Sequence, residues 1–258
     1  MIGVLDSGVG GLAALREMRQ LALLEDFLYL ADTARHPFGI LHRAELEQVG
    51  RECARTLQAM GARGVVVACN TLSATALEAI RSAVSIPVAG VLEAAGSLAA
   101  RSDAPVVVLA TLASAVSGAH MRAIRRRRAG AEVTVLPCSD LVDLIENGRP
   151  LQEIREEVAR LVAGRVSSGS LLLLGCTHLS LVSATIAEAA PQAQILDPVP
   201  EAARSALEAL RPGPGRGGTH CFSTGPIDVF QWRAERWGCR ADSWSQTRLR
   251  EWLGVVPA

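Results

Sequence analysis

The stretch VVVACNT, residues 65–71, places four apolar residues directly before a cysteine, an asparagine and a threonine. A short, continuous apolar run of this kind is typical of a strand that is buried on both faces of a parallel sheet. A cysteine at the end of such a strand is most often a small hydrophobic packing residue. Taken alone, Cys69 therefore indicates a buried strand and nothing about chemistry.

The same design recurs in the stretch LLLLGCTH, residues 171–178. An apolar run again leads to a cysteine, here Cys176, and polar residues that include a threonine follow it. Each cysteine also has an earlier strand at a similar distance before it: one ends near Asp6, and the other is followed by Thr111. The pattern predicts two similar halves, each with one cysteine at the end of its sheet where α/β proteins bind ligands.

Along the whole chain, short apolar runs alternate with longer amphipathic stretches. The apolar runs predict strands at residues 2–5, 27–30, 65–68, 88–91, 106–109, 133–136, 171–174, 194–196 and 220–223. The 3.6-residue periodicity predicts helices at residues 12–21, 44–60, 73–84, 117–128, 139–146, 151–162, 179–189, 201–210 and 227–237. Strands that alternate with helices in this way form parallel βαβ units, with helices on both faces of the sheet.

The fold class that follows is α/β, with two pseudo-symmetric, doubly wound parallel-sheet domains and the active site in the cleft between them. The first domain is expected to combine residues 1–92 with residues 205–258, and the second to span residues 93–204. The segment after the loop at residues 212–218 is too short to be a domain, so we expect it to pack back onto the first half.

Composition excludes several classes of function. The formal net charge is zero, which argues against a nucleic-acid or membrane-surface partner. All 26 basic residues are arginine, and a chain without lysine cannot hold pyridoxal phosphate as a Schiff base or form a P-loop. The first residues do not resemble a secretory signal, and no apolar stretch is long enough to span a membrane. We therefore expect a cytoplasmic protein with reduced thiols.

The sequence also contains no recognisable cofactor or metal motif. The six cysteines form no C-x-x-C pair, which argues against a zinc ribbon or a thioredoxin-like motif. The glycines of DSGVGG, residues 6–11, do not fit the dinucleotide-binding fingerprint. We expect neither a metal ion nor a cofactor.

Two thiols that face one cleft indicate a specific chemistry. Each cysteine lies at a strand-to-helix junction, where a helix N-terminus would favour the reactive thiolate. A thiolate on one side of a carbon and a thiol on the other can remove a proton from one face and return one to the opposite face, which inverts a stereocentre without a cofactor. Three alternatives stay open: a thiol hydrolase with Cys176 as nucleophile near His178, a zinc site, and two ordinary core cysteines.

Four segments resemble the signature segments of the glutamate racemase family, in the same order. They are VLDSGVGGL at 4–12, LADTARHPFG at 30–39, VVACNT at 66–71 and LGCTH at 174–178. ENG at 146–148 is similar to the acidic segment between the family's two cysteines, and the resemblance runs from residue 2 to about residue 210. It implies a cofactor-independent, two-cysteine racemase of two α/β domains that is cytosolic, often dimeric, and supplies D-glutamate for peptidoglycan.

The resemblance also implies roles for individual residues. Cys69 would serve the proton of the D-enantiomer, and Cys176 that of the L-enantiomer. Asp6 matches the carboxylate near the first thiol, while His178 and Glu146 match the groups near the second. The substrate, glutamate, is expected to contact Asp6, Ser7, Phe38, Gly39, Asn70, Thr71, Thr177 and His178.

Several residues depart from the family pattern beside these segments. Leu72 follows CNT where the family has alanine, and it could narrow the cavity. Leu179 and Ser180 replace a Tyr-Pro pair after CTH, and His120 replaces a tyrosine. These departures leave open a racemase of aspartate or another amino acid, or a homologue that binds a substrate without turnover. The group that binds the distal carboxylate is open too, with Arg35 and backbone donors as candidates.

Overall fold

The computed structural model describes residues 1–253. Its strands, in chain order, are β1 (Ile2–Asp6), β2 (Phe27–Ala31), β3 (Val65–Val67), β4 (Val88–Gly90), β5 (Val106–Ala110), β6 (Val133–Pro137), β7 (Leu171–Leu174), β8 (Gln194–Leu196), β9 (Thr219–Ser223) and β10 (Ser243–Gln246). Its α-helices are α1 (Leu12–Leu21), α2 (Arg43–Ala59), α3 (Asn70–Thr75), α4 (Leu77–Arg81), α5 (Leu92–Ala99), α6 (Leu112–Ser117), α7 (Ala119–Arg127), α8 (Ser139–Glu146), α9 (Leu151–Val162), α10 (Thr177–Ser180), α11 (Ser183–Ala189), α12 (Val199–Leu210), α13 (Ile227–Arg236) and α14 (Leu249–Trp252). Two short 3-10 helices, Thr33–Arg35 and Phe38–Ile40, follow β2. None of the described helices is long and apolar enough to cross a membrane.

The strands form two parallel sheets that share the same inner order. The first sheet has the order β10-β9-β2-β1-β3-β4 and the second β6-β5-β7-β8, and neighbouring strands are parallel throughout. The order β2-β1-β3-β4 in the first sheet thus recurs as β6-β5-β7-β8 in the second. Strands β3 and β7, which lead to the two cysteines, take equivalent places, and the predicted pseudo-symmetric α/β fold is confirmed.

Helices cover both faces of each sheet because successive strand residues point to opposite faces and both faces are apolar. In β1, Val4 packs in a core with residues of α1, and Leu5 packs in another core with residues of α2. In β7, Leu172 packs with residues of α9, and Leu173 with residues of α7. Each sheet is therefore doubly wound, as the continuous apolar strands predict.

The C-terminal segment returns to the first sheet, as predicted, and places β9 beside β2. The outer strand β10 was not predicted, since its sequence SWSQ is polar and only partly buried at the sheet edge. The predicted division after residue 204 falls inside α12, whose Ala203 and Leu207 pack in a core of the first sheet. The domain bounds stay a prediction, and residues 254–258 lie outside the described residues.

Two of the predicted helices are each divided in two, and another follows a short helix that was not predicted. The helix predicted at 73–84 begins earlier, at Asn70, and breaks at Ala76. The helix predicted at 117–128 begins at Ala119, and Gly118, whose φ of 64° lies in the left-handed region that favours glycine, separates it from the unpredicted α6. The helix predicted at 179–189 begins at Thr177 and is divided into α10 and α11. As a result, α3 and α10 each start on the residue that directly follows a cysteine.

Candidate active site

Cys69 and Cys176 line the same small cavity between the two halves of the protein. Each is the residue directly before a helix, α3 or α10, at the carboxyl end of its strand. Both are buried, with 5% of each residue exposed. The repeat in the sequence thus brings one thiol from each half to one site.

Most of the predicted site residues line this cavity. They are Ser7, Phe38, Gly39, Cys69, Thr71, Cys176, Thr177 and His178. The predicted Asp6, Asn70 and Glu146 are buried behind that surface. Sequence reasoning missed the other residues that line the cavity, which are His36, Pro37, Ile40, Thr111, Ser139, Val142 and Asp143. Of these, Thr111 had a signal, because it is the counterpart of Asp6 in the internal repeat.

The surroundings of Cys69 keep its thiol neutral. Burial raises the pKa of Cys69 well above its ordinary value, and the nearby Asp6 carboxylate raises it further. The main-chain N–H groups of Leu72 and Thr71, in the first turn of α3, lower the pKa without outweighing burial. The thiolate-favouring effect of a helix start, which the sequence predicts, is therefore present at Cys69 but is not dominant.

Asp6 lies beside this thiol and connects the two halves. Burial raises the pKa of Asp6 from 3.8 to about 6, against the opposing effects of the His178 charge and the Gly8 N–H. One carboxylate oxygen accepts a hydrogen bond from the Gly8 main-chain N–H at 3.0 Å. The other accepts one from the Thr177 hydroxyl at 3.4 Å. A carboxyl group with a pKa of about 6 thus lies at the junction of the two strand ends.

The surroundings of Cys176 are different. His178 Nδ1 lies 3.6 Å from Cys176 Sγ, and His178 Nε2 lies 2.8 Å from Glu146 Oε2. Burial disfavours a charged ring, but hydrogen bonds to Cys176 and Glu146 raise the pKa of His178 well above its ordinary value. Burial likewise opposes ionisation of Glu146, yet the hydrogen bond and charge of His178 lower the pKa of Glu146. An imidazolium–carboxylate pair therefore stands behind Cys176, whereas a carboxyl group stands beside Cys69.

The glycine-rich segment after β1 lets this ion pair reach its position. A side chain at Gly8 would overlap the Glu146 carboxylate, and one at Gly10 would overlap the His178 ring. The main-chain N–H of Val9 donates a hydrogen bond to Glu146 Oε2 at 2.9 Å. The DSGVGG motif is therefore the surface of the first half on which the ion pair of the second half packs.

Polar groups suited to the carboxylate of an amino acid surround the thiols. The hydroxyls of Thr71 and Thr111 lie 2.9 Å apart and join the two halves. Asn70 is buried, and neither its side-chain oxygen nor its nitrogen has a hydrogen-bond partner among the described residues. A buried amide without partners costs free energy, so a ligand that bonds to Asn70 would be stabilised.

None of the four departures from the family pattern lines the cavity. Leu72 is fully buried in a core of the first sheet and does not narrow the cavity. Leu179 packs in a core of the second sheet, and the Ser180 hydroxyl donates to Asp197 at 2.8 Å. His120 is fully buried, neither ring nitrogen has a partner within the described chain, and burial lowers its pKa to about 4.

The distal carboxylate of a substrate would not meet Arg35. That guanidinium bonds to Asp32 and Glu52 at 2.6 Å each and does not line the cavity. Phe38 and Gly39 line the cavity, so their backbone donors stay candidates. Across residues 1–253, no group of three or more His, Cys, Asp or Glu side chains is arranged to hold a metal ion.

The chain is similar to known proteins over nearly its whole length. Residues 3–206 match the family model described as Asp/Glu/Hydantoin racemase. A glutamate racemase of Thermus thermophilus is 37% identical over 257 residues, which cover 97% of each chain. A crystal structure of T. thermophilus glutamate racemase in complex with β-chloro-D-alanine shares 34% identity with a TM-score of 0.83, and covers 96% of this chain and 95% of that one. A crystal structure of Francisella tularensis glutamate racemase in complex with D-glutamate shares 26% identity with a TM-score of 0.84, and covers 97% and 98% of the two chains.

Proposed function

The chain belongs to the Asp/Glu/hydantoin racemase family, and we propose that it interconverts L- and D-glutamate without a cofactor by a two-thiol mechanism. One observation carries the proposal: Cys69 and Cys176 reach one cavity from equivalent strand ends of the two halves. In this proposal Cys176, whose Sγ lies 3.6 Å from His178 Nδ1, starts as the base, and Cys69, which burial keeps neutral, starts as the acid. A base and an acid are therefore available on opposite sides of a bound carbon at the same time.

In the direction from L- to D-glutamate, Cys176 takes the Cα proton as a thiolate, and the electron pair of the broken C–H bond stays on the carbon. The His178 imidazolium, with Nδ1 at 3.6 Å from Sγ, stabilises that thiolate before the transfer. The thiol of Cys69 then gives its proton to the opposite face of the carbon. The reaction leaves Cys176 as a thiol and Cys69 as a thiolate, which is the starting state for the reverse direction.

Donors around the thiols would hold the substrate and the charge that develops on it. The proposed contacts are Asp6, Ser7, Phe38, Gly39, Asn70, Thr71, Thr177 and His178. As the Cα proton leaves, negative charge spreads onto the α-carboxylate, where preorganised donors stabilise it most. The amide of Asn70, which has no partner in the free protein within the described residues, would gain one in this complex.

A second candidate function rests on the line of contacts Cys176–His178–Glu146, which also has the order of a thiol-hydrolase triad. A hydrolase would use only this side of the cavity and would leave Cys69 without a task. Its mark would be an acyl adduct on Cys176 in mass spectrometry. We expect no such adduct, because family membership and the second thiol both favour racemisation.

The proposal extends to the cellular setting that similarity to glutamate racemases supports. The enzyme would act in the cytoplasm as a homodimer, and its product D-glutamate would supply peptidoglycan. Glutamate is preferred over aspartate as the substrate because the relatives that match at 37% identity over 97% of the chain are glutamate racemases.

Exchange with solvent tests the proposal. The protein is incubated in D2O with L-glutamate or D-glutamate and no added cofactor, and NMR follows the Cα proton while circular dichroism follows the stereocentre. Each enantiomer should take up deuterium at Cα and convert to an equal mixture, with aspartate at least about tenfold slower. Exchange of aspartate alone would reassign the substrate, and exchange of neither amino acid would refute a racemase.

A further inference from the structure

Helix α13 comes after all the cavity residues in the chain, and it joins the two halves of the protein. It belongs to the segment that pairs with the first sheet, yet it binds the end of α8 in the second half. Arg236 Nε donates to the main-chain oxygen of Gly148 at 3.2 Å. Trp237 Nε1, just after α13, donates to the main-chain oxygen of Ile145 at 3.0 Å. The Ile145 carbonyl is among the last in α8 and has no partner within the helix, so these donors fix the end of α8 and the turn that follows it.

Arg233, also on α13, contacts the side chain of Glu146 itself. Its NH1 group donates to Glu146 Oε1 at 3.2 Å, and its NH2 group donates to Asn147 Oδ1 at 2.7 Å. The other oxygen of Glu146 accepts from His178 Nε2 at 2.8 Å and from the Val9 N–H at 2.9 Å. Both carboxylate oxygens are therefore held. The Glu146 side chain is 1% exposed and that of Arg233 is 23% exposed, so the guanidinium lies on the solvent side of the carboxylate.

We propose that Arg233 is a positioning residue for the racemase reaction: it holds the Glu146 carboxylate toward His178 and so tunes the Cys176 side of the cavity. This inference rests on the proposed function. Arg233 does not line the cavity, so it acts only through Glu146 and His178. Cys69 lies outside this chain of contacts, and the effect is therefore confined to proton removal from the L-enantiomer.

The charges near His178 set the sign of the pH effect. The groups concerned are Cys176, Glu146, Asp6, His36, Asp143 beside His36, and Arg233 behind Glu146. Removal of the guanidinium takes away one positive charge beside a buried carboxylate. Glu146 then binds a proton at a higher pH. In the pH–rate profile for proton removal from the L-enantiomer, the low-pH limb therefore moves to higher pH.

Racemisation itself cannot report on one side of the cavity. The two enantiomers have equal free energies, so kcat/KM is equal in both directions for every variant. Elimination from glutamate that carries chlorine on Cβ does report on one side. A thiolate takes the Cα proton, the C–H electron pair forms the Cα–Cβ double bond, and chloride leaves with the C–Cl pair. The enamine then hydrolyses to 2-oxoglutarate and ammonium, and 2-oxoglutarate is measured.

Arg233→Gln should slow elimination from the L-configured substrate about tenfold, move its acid limb to higher pH, and change elimination from the D-configured substrate by less than about twofold. Arg233→Lys keeps the charge but cannot bridge Glu146 and Asn147 at once, so it should recover part of the rate. Arg236→Gln is the matched control on the same helix. This variant changes the contact with Gly148, just after α8, and leaves Glu146 untouched, so both rates should stay within about twofold of wild type.

Three results would overturn the positioning role: equal loss on both enantiomers, the same loss in Arg236→Gln, or no loss in Arg233→Gln. If Arg233→Gln does not fold, as judged by circular dichroism, Arg233→Lys carries the same test with a smaller, one-sided loss expected. A wild-type protein that neither racemises nor eliminates is a different outcome, because it would refute the proposed function itself.

Discussion

Replacement of Glu146 by glutamine removes one buried charge and almost no volume. The carboxylate lies 2.8 Å from His178 Nε2, and the two residues are 1% and 2% exposed. The amide oxygen of glutamine can still accept the hydrogen bond from the Val9 N–H. The substitution removes the charge that pairs with the imidazolium behind Cys176, and with it the oxygen that accepts from Arg233 NH1.

The contact between Glu146 and His178 sets the main part of the effect. A hydrogen bond to a charged group contributes about 1.5–3 kcal/mol, and each 1.4 kcal/mol corresponds to roughly a factor of ten in rate. We therefore expect kcat to fall roughly 10- to 100-fold. Since burial then acts without the opposing carboxylate, the pKa of His178 should fall as well. The imidazolium is lost at a lower pH, so the alkaline limb of kcat should move to lower pH.

Racemisation followed by circular dichroism across a pH range measures kcat and both limbs of its pH profile, and thermal unfolding checks the fold. The matched control is Glu153→Gln, which removes a half-exposed carboxylate on α9 that pairs with Arg149. A surface pair of this kind contributes little, so kcat of the control should stay within about twofold of wild type. A Glu146→Gln variant with kcat within about threefold of wild type and an unshifted alkaline limb would refute the reasoning.

Three further substitutions test separate parts of the site. Gly10→Ala adds a methyl group that overlaps the His178 ring, so kcat should fall at least about 100-fold, while Gly130→Ala, which meets no atom within 4 Å, should leave it unchanged. Burial raises the pKa of Asp6 from 3.8 to about 6, so kcat/KM of the wild type should decrease as the pH is lowered through about 6. The same shift means that the charged carboxylate destabilises the fold as pH rises from 3.8 through about 6. Urea unfolding should therefore find Asp6→Asn about 3 kcal/mol more stable at pH 8 and no more stable below pH 3.8. Asn70→Ala removes an amide without a partner among the described residues, so steady-state kinetics should show KM at least about tenfold higher and thermal unfolding should show no loss of stability.

Part of this site is predictable from the sequence because buried parallel strands are continuous apolar runs. The runs that form β3 and β7 end at Cys69 and Cys176, so the equivalence of the two strand ends is visible in the residue pattern alone. The start of α3 at Asn70 is not visible there, because the polar pair that follows Cys69 is typical of a loop. The opposite electrostatic surroundings of the two thiols depend on burial and on the approach of Asp6 and His178, which local patterns do not encode.

Arg233 lies beyond what sequence reasoning could reach. It contacts Glu146 across 87 residues of chain, and nothing in the local pattern of α13 distinguishes it from Arg236. The edge strand β10 was missed for a related reason, since its polar residues are partly exposed and carry no apolar run. Contacts between the two halves become predictable only when both sheets are in place.

The central claim is that each thiol serves one face of the same carbon. Elimination from the L- and D-configured forms of glutamate with chlorine on Cβ tests it most directly, with Cys69→Ser and Cys176→Ser as the variants. Serine is a far weaker acid than cysteine, so each variant lacks a base on one side. We predict that both variants lose racemisation, that Cys69→Ser still eliminates from the L-configured substrate alone, and that Cys176→Ser still eliminates from the D-configured substrate alone. Elimination from both forms by either variant, or equal loss of both forms in both variants, would contradict the claim.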